Sequence, residues 1–80
     1  MPRKKSVEDL AFDVEVGARI ERARLSKRLT QRAMARRLKI SVNQYYWYEV
    51  GRNSCPLSVL VRIAAVLEVP EERLIPKYKL

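Results

Sequence analysis

Histidine is absent from all 80 positions, and with it go the commonest general base and the commonest metal ligand. Cysteine occurs once, at Cys55, so no internal disulfide can close and no thiolate zinc site can be assembled. With no histidine to draw off its proton, Cys55 reads as a loop or core thiol and not as a nucleophile. Acidic residues are few: 9 Asp and Glu stand against 17 Lys and Arg, for a net charge of +8. No apolar run approaches the length of a bilayer span. The basic opening "PRKK" leads into "SVEDL", where a secretory signal would turn apolar. Strand patterns, internal repeats and low-complexity segments are lacking as well. These absences exclude an enzyme, a metal or other cofactor site, and a membrane protein. They leave a cytoplasmic chain whose excess positive charge suits a polyanionic partner.

What is present is helical. A chain of 80 residues, 48% of them hydrophobic, suffices for one small domain around one core. Residues 1–6, with Arg3, Lys4 and Lys5, read as a flexible basic arm, residues 7–75 as the domain and 76–80 as a tail. Ser6 followed by Asp9 resembles a capping box, which predicts a first helix over about 7–27 with Phe12, Val16, Ile20 and Ala23 inward. Thr30 is a good N-cap for a second helix, "QRAMARRLK", with Met34, Ala35 and Leu38 inward and Arg32, Arg36 and Arg37 outward. Ser41 caps a third helix over 42–50 that Gly51 ends, and Pro56 opens a fourth over 57–67. Pro70 starts a short fifth helix through Leu74, and Pro76 stops it. The expected architecture is all-α with five helices.

The third helix carries the run "NQYYWYEV", with four large aromatics side by side. At about 100° per residue, Tyr45, Tyr48 and Glu49 fall on one side, and Asn43, Tyr46, Trp47 and Val50 on the other. One side builds the core and the other is offered to a partner. In the fourth helix, Leu57, Leu60, Val61, Ala64 and Leu67 form an inward stripe, and Val59, Ile63 and Val66 a second apolar stripe. A helix apolar all round needs cover all round, so Val59, Ile63 and Val66 are the candidate homodimer interface.

Helices two and three have the spacing of a helix-turn-helix. "LTQ" at 29–31, "MA" at 34–35, "LKIS" at 38–41, "YEVGR" at 48–52 and "IAAVLEV" at 63–69 follow in order. In this sequence and spacing they resemble the phage-repressor and Cro-like family, whose fold is the five-helix lambda-repressor-like domain. The resemblance implies a bacterial, archaeal or phage-encoded regulator that binds double-stranded DNA as a homodimer. It places Thr30, Gln31, Arg36, Arg37 and Arg52 at phosphates, and pairs Arg24 with Glu49 inside the domain. Base edges would be met by Ser41, Val42, Asn43, Gln44, Tyr46 and Trp47. Asn43 and Gln44 can each pair with adenine, and Tyr46 and Trp47 can pack on thymine methyls or sugars. The alternative is a protein-interaction module on the same fold, an antitoxin or a coactivator-like adaptor, in which the Tyr46–Trp47 face docks a toxin or another protein. Two departures from the family stand out: Lys39 and Glu68 occupy turns that usually carry glycine, where a positive φ costs about 1 kcal/mol.

Overall fold

The computed structural model describes residues 6–77. Four α-helices follow one another: α1 (Val7–Ser26), α2 (Gln31–Leu38), α3 (Val42–Val50) and α4 (Leu57–Leu67). The N-termini are capped as the side chains dictate. Ser6, Thr30 and Ser41 each accept the backbone N–H three residues on, at 3.1, 3.0 and 3.0 Å. Ser6, at the end of the expected basic arm, is the N-cap of α1; the remainder of that arm lies outside the described residues. The expected fifth helix is corrected. Between Pro70 and Pro76 the chain makes one 3-10 turn, Glu71–Arg73. So short a segment cannot complete the hydrogen-bonded turns that propagate an α-helix. Its Leu74 is nonetheless fully buried and closes one end of the core.

The four C-termini share one device. In each, a left-handed residue folds the chain back so that the next N–H bonds a carbonyl five residues earlier. The bonds run from Leu29 to Arg24 (3.2 Å), Ile40 to Ala35 (3.1 Å), Arg52 to Trp47 (3.0 Å) and Val69 to Ala64 (3.0 Å). Only one of the four left-handed positions is glycine, Gly51 at φ +81°; the others are Arg28, Lys39 and Glu68 at +56°, +58° and +58°. Lys39→Gly is therefore expected to raise stability by about 1 kcal/mol, measurable as a higher midpoint in urea. An unchanged or lower midpoint would mean that the Lys39 side chain contributes more than its backbone costs.

The core joins Val16 and Ile20 of α1, Met34, Ala35 and Leu38 of α2, Tyr45 of α3, and Leu60, Ile63, Ala64 and Leu67 of α4. Arg62 reaches from α4 to donate a hydrogen bond to the Leu38 carbonyl at the end of α2, where a cation also suits the helix dipole. Helix α4 is rotated relative to the sequence expectation. Ile63 is 0% exposed and cannot form part of an interface, while Val59 and Val66 are half-buried against the core. Leu57 (67% exposed) and Val61 (41%) face outward instead. Around a helix this uniformly apolar, hydrophobic periodicity does not choose the buried side. The shape of the neighbouring helices does.

Helix α1 approaches α3 very closely, and both glycines of the chain lie at this contact. A methyl group at Gly17 would run into the carbonyl oxygens of Tyr48 and Glu49, and one at Gly51 would lie 2.6 Å from the Val14 Cα. Cys55 is half-buried near Asp13. Burial first, and that carboxylate second, push its thiol up to about 12, so it carries no thiolate at neutral pH.

Candidate nucleic-acid interface

The third helix separates its rings by helical phase. Tyr45, Tyr48 and Glu49 are buried, while Val42, Asn43, Gln44, Tyr46 and Val50 are exposed and Trp47 is half-buried. Ser41 is exposed too, with its oxygen taken by the Gln44 N–H as the helix cap. Gln44 is held rather than loose: its Nε2 donates to the Tyr48 hydroxyl at 3.0 Å. That bond takes one of the two amide N–H groups and ties the side chain to the next turn of the helix. The Tyr45 hydroxyl, by contrast, does not reach the surface and meets no hydrogen-bond partner among the described residues. Burial, and next the Glu49 carboxylate, push its proton loss well above the usual phenol range.

Behind α3 lies the expected ion pair. Arg24 Nε donates to Glu49 Oε2 at 2.7 Å and Nη2 to Oε1 at 3.3 Å, with the two side chains 9% and 1% exposed. The Glu49 hydrogen bond, acting against desolvation, raises the already high pKa of the guanidinium. Arg24 also donates to the Leu29 carbonyl at 2.8 Å, so it ties the end of α1 to the lead-in of α2 as well as to α3. Gln31 completes the group by donating its Nε2 to Glu49 Oε1 at 3.0 Å. The residue expected at a phosphate is thus anchored from behind, and one amide N–H is committed to the interior.

The remaining phosphate candidates are exposed. Thr30 caps α2 through its Oγ1, and Arg36 and Arg37 stand in the last turn of that helix. Arg52 follows α3 and lies over the Trp47 ring, 4.9 Å from its centroid. Arg32, which the sequence places outward but not among the phosphate candidates, stands with them. It is exposed in the first turn of α2, where a cation opposes the helix dipole, and that misplaced charge was the available signal. The electrostatics of the whole region are one-sided. Between Glu21 and Glu68 the only acidic residue is Glu49, and it is buried against Arg24. The exposed arginines of α2 and Arg52, just after α3, therefore have no exposed acidic residue in that stretch of sequence. Val59, Ile63 and Val66 contribute nothing here, since they lie on α4 in or against the core.

This arrangement of a capped short helix, a turn and a second helix with an open outer face is that of a helix-turn-helix. The sequence model of the helix-turn-helix domain family matches residues 15–74, and the chain belongs to that family. Among curated proteins, an uncharacterized transcriptional regulator in the ATPase CF(0) region of Rhodospirillum rubrum is 41% identical over 58 residues. That match covers 72% of this chain and 54% of the relative, so the chain spans about half of that protein's length. Among solved structures, the restriction-modification controller protein C.AhdI of Aeromonas hydrophila superposes with a TM-score of 0.77 at 23% identity. The match covers 81% of this chain and 98% of the controller protein, and at that identity the likeness is one of fold.

Proposed function

We propose that this protein is a DNA-binding transcriptional regulator that acts as a homodimer on a roughly palindromic operator. One observation carries the reading: the exposed arginines of α2 and Arg52 just after α3 accompany an outer face of α3 that exposes Asn43 and Gln44, in a stretch whose one acidic residue, Glu49, is buried. Such a surface attracts a phosphate backbone, and Asn43 and Gln44 have the donor–acceptor pair that adenine presents to the major groove. The transcriptional regulator 41% identical to this chain and the controller protein of similar fold support the reading. The docking alternative required Tyr46 and Trp47 as one apolar patch. Trp47 lies under Arg52 instead, which weakens it.

Salt dependence tests the proposal. Arg36, Arg37 and Arg52 from each of two protomers should give a slope of log affinity against log salt near −5 on duplex DNA, at about −0.9 per phosphate. Duplex affinity that barely changes between low and physiological salt would remove the reading.

A two-fold dimer would set its recognition helices about 34 Å apart, one turn of the duplex. The exposed edge of α4, Leu57 and Val61, replaces the stripe expected from the sequence. Val61→Glu is expected to leave a folded monomer with weakened operator affinity. Ile63→Glu, which forces a carboxylate into the core, is expected to unfold the domain. Sedimentation shows which holds: a wild type already monomeric at micromolar concentration counts against dimerisation.

A further inference from the structure

We propose that Trp47 is a positioning residue that holds Arg52 as a phosphate clamp, and that it does not read bases. The inference deepens the DNA-binding reading above and rests on it for its function, while its geometry stands independently. The comparison of the four helix ends carries it. The residue after the left-handed position is aliphatic in three of them: Leu29, Ile40 and Val69, each half-buried and packed against the core. That is the ordinary use of the motif, in which an apolar side chain folds back over the last turn. After α3 the same position is Arg52, which is exposed. The turn folds it back in the same way, and the surface it meets is the Trp47 ring, 4.9 Å from guanidinium carbon to centroid.

Backbone geometry brings the two side chains together. The N–H groups of Arg52 and Asn53 both bond the Trp47 carbonyl, at 3.0 and 3.3 Å, so ring and guanidinium are attached to the two ends of one closed turn. Gly51 permits that turn through its φ of +81°. A guanidinium is a planar fork of N–H donors of the kind a phosphate accepts two of at once, and resting it over the indole narrows where that fork can point. The ring face under the guanidinium is not available to a thymine methyl. An aromatic at position 47 thus supplies a platform for the cation, and base reading falls to Asn43, Gln44 and Tyr46.

The test compares Trp47→Leu, Trp47→Phe, Arg52→Gln and the Trp47→Leu/Arg52→Gln double variant on a panel of duplexes differing at single base pairs. Arg52→Gln should lower the salt slope by about 0.9 per protomer and weaken all duplexes by a common factor. Trp47→Leu should also weaken every duplex by a common factor, with the order of base preference unchanged, and Trp47→Phe should restore part of the loss. In the double variant the second substitution should add less than it does alone. Asn43→Ala, as a contrast, should change the preference order. A changed preference order in Trp47→Leu, or losses that add fully in the double variant, would overturn the proposal. If no variant or wild type binds duplex DNA, the regulator reading fails by itself. The stack is then judged on the free protein: the Arg52 side-chain protons should be shifted upfield by the indole and move downfield in Trp47→Leu. Arg52 resonances unaffected by the loss of the ring would overturn the positioning role.

Discussion

Gly17→Ala is expected to destabilise the domain by on the order of 4 kcal/mol, in the extreme range for single substitutions. The added methyl meets the Tyr48 and Glu49 carbonyl oxygens, which belong to the backbone of α3 and have no rotamer by which to move aside. Relief would require α1 to lift away from α3, opening the core around Val16, Ile20 and Tyr45 and pulling Arg24 from Glu49. A small domain has a total stability of about the same size, so little folded protein should remain. Alanine is otherwise the better helix former by nearly 1 kcal/mol, which makes the expected sign informative. Circular dichroism during urea titration measures it. A midpoint equal to or above wild type would show that the two helices can separate at no cost.

The second large effect is expected at Arg24. Arg24→Ala leaves the Glu49 carboxylate buried with only the Gln31 amide against it, and should cost about 3–5 kcal/mol. Glu49→Ala should cost a similar amount, because the guanidinium would retain only the Leu29 carbonyl. Replacing both with apolar residues of similar volume, Arg24→Met with Glu49→Leu, should recover much of the loss, since most of the penalty in each single variant is an unpaired buried charge. Melting the three variants side by side separates the cases. If Arg24→Ala melts within a degree or two of wild type, the pair contributes no more than a surface ion pair does.

Where sequence chemistry acts locally, it was sufficient. Ser6, Thr30 and Ser41 announce three helix starts because a hydroxyl three residues before a free N–H has one obvious use. The two sides of α3 could be separated because Tyr45, Tyr48 and Glu49 recur at helical spacing, but in an unbroken run of four aromatics only the resemblance to the Cro-like family said which side goes inward. Helix α4 offered no such contrast. Val59, Val61, Ile63 and Val66 are chemically alike, so only packing against α2 and the last turn decides that Ile63 goes inside and Val61 outside. The end of the chain misled for another reason. Two prolines bracket a segment with a helical composition, but too few residues lie between them to close α-helical turns. The site was legible in its residue types and less so in their attachments. Nothing in the sequence announces that Gln31 is tied to Glu49 or Arg52 to Trp47, because these depend on how α2 meets α3 and how α3 ends, whereas the Gln44–Tyr48 bond spans four residues of one helix and follows from its spacing.

Those attachments divide the outer face of α3 by how freely it can evolve. Gln44 and Trp47 each hold, or are held by, a second residue, so changing either disturbs a neighbour whose task lies elsewhere. Asn43 and Tyr46 are exposed, and no side-chain hydrogen bond ties either of them to the rest of the domain among the contacts described above. A lineage altering its target sequence, or an engineer selecting a new one, would find its single-step routes at these two positions. Changes at the other two would arrive in pairs, Gln44 with Tyr48 and Trp47 with Arg52. Related regulators that have diverged in operator choice would then show independent variation at the first two positions and correlated variation at the second.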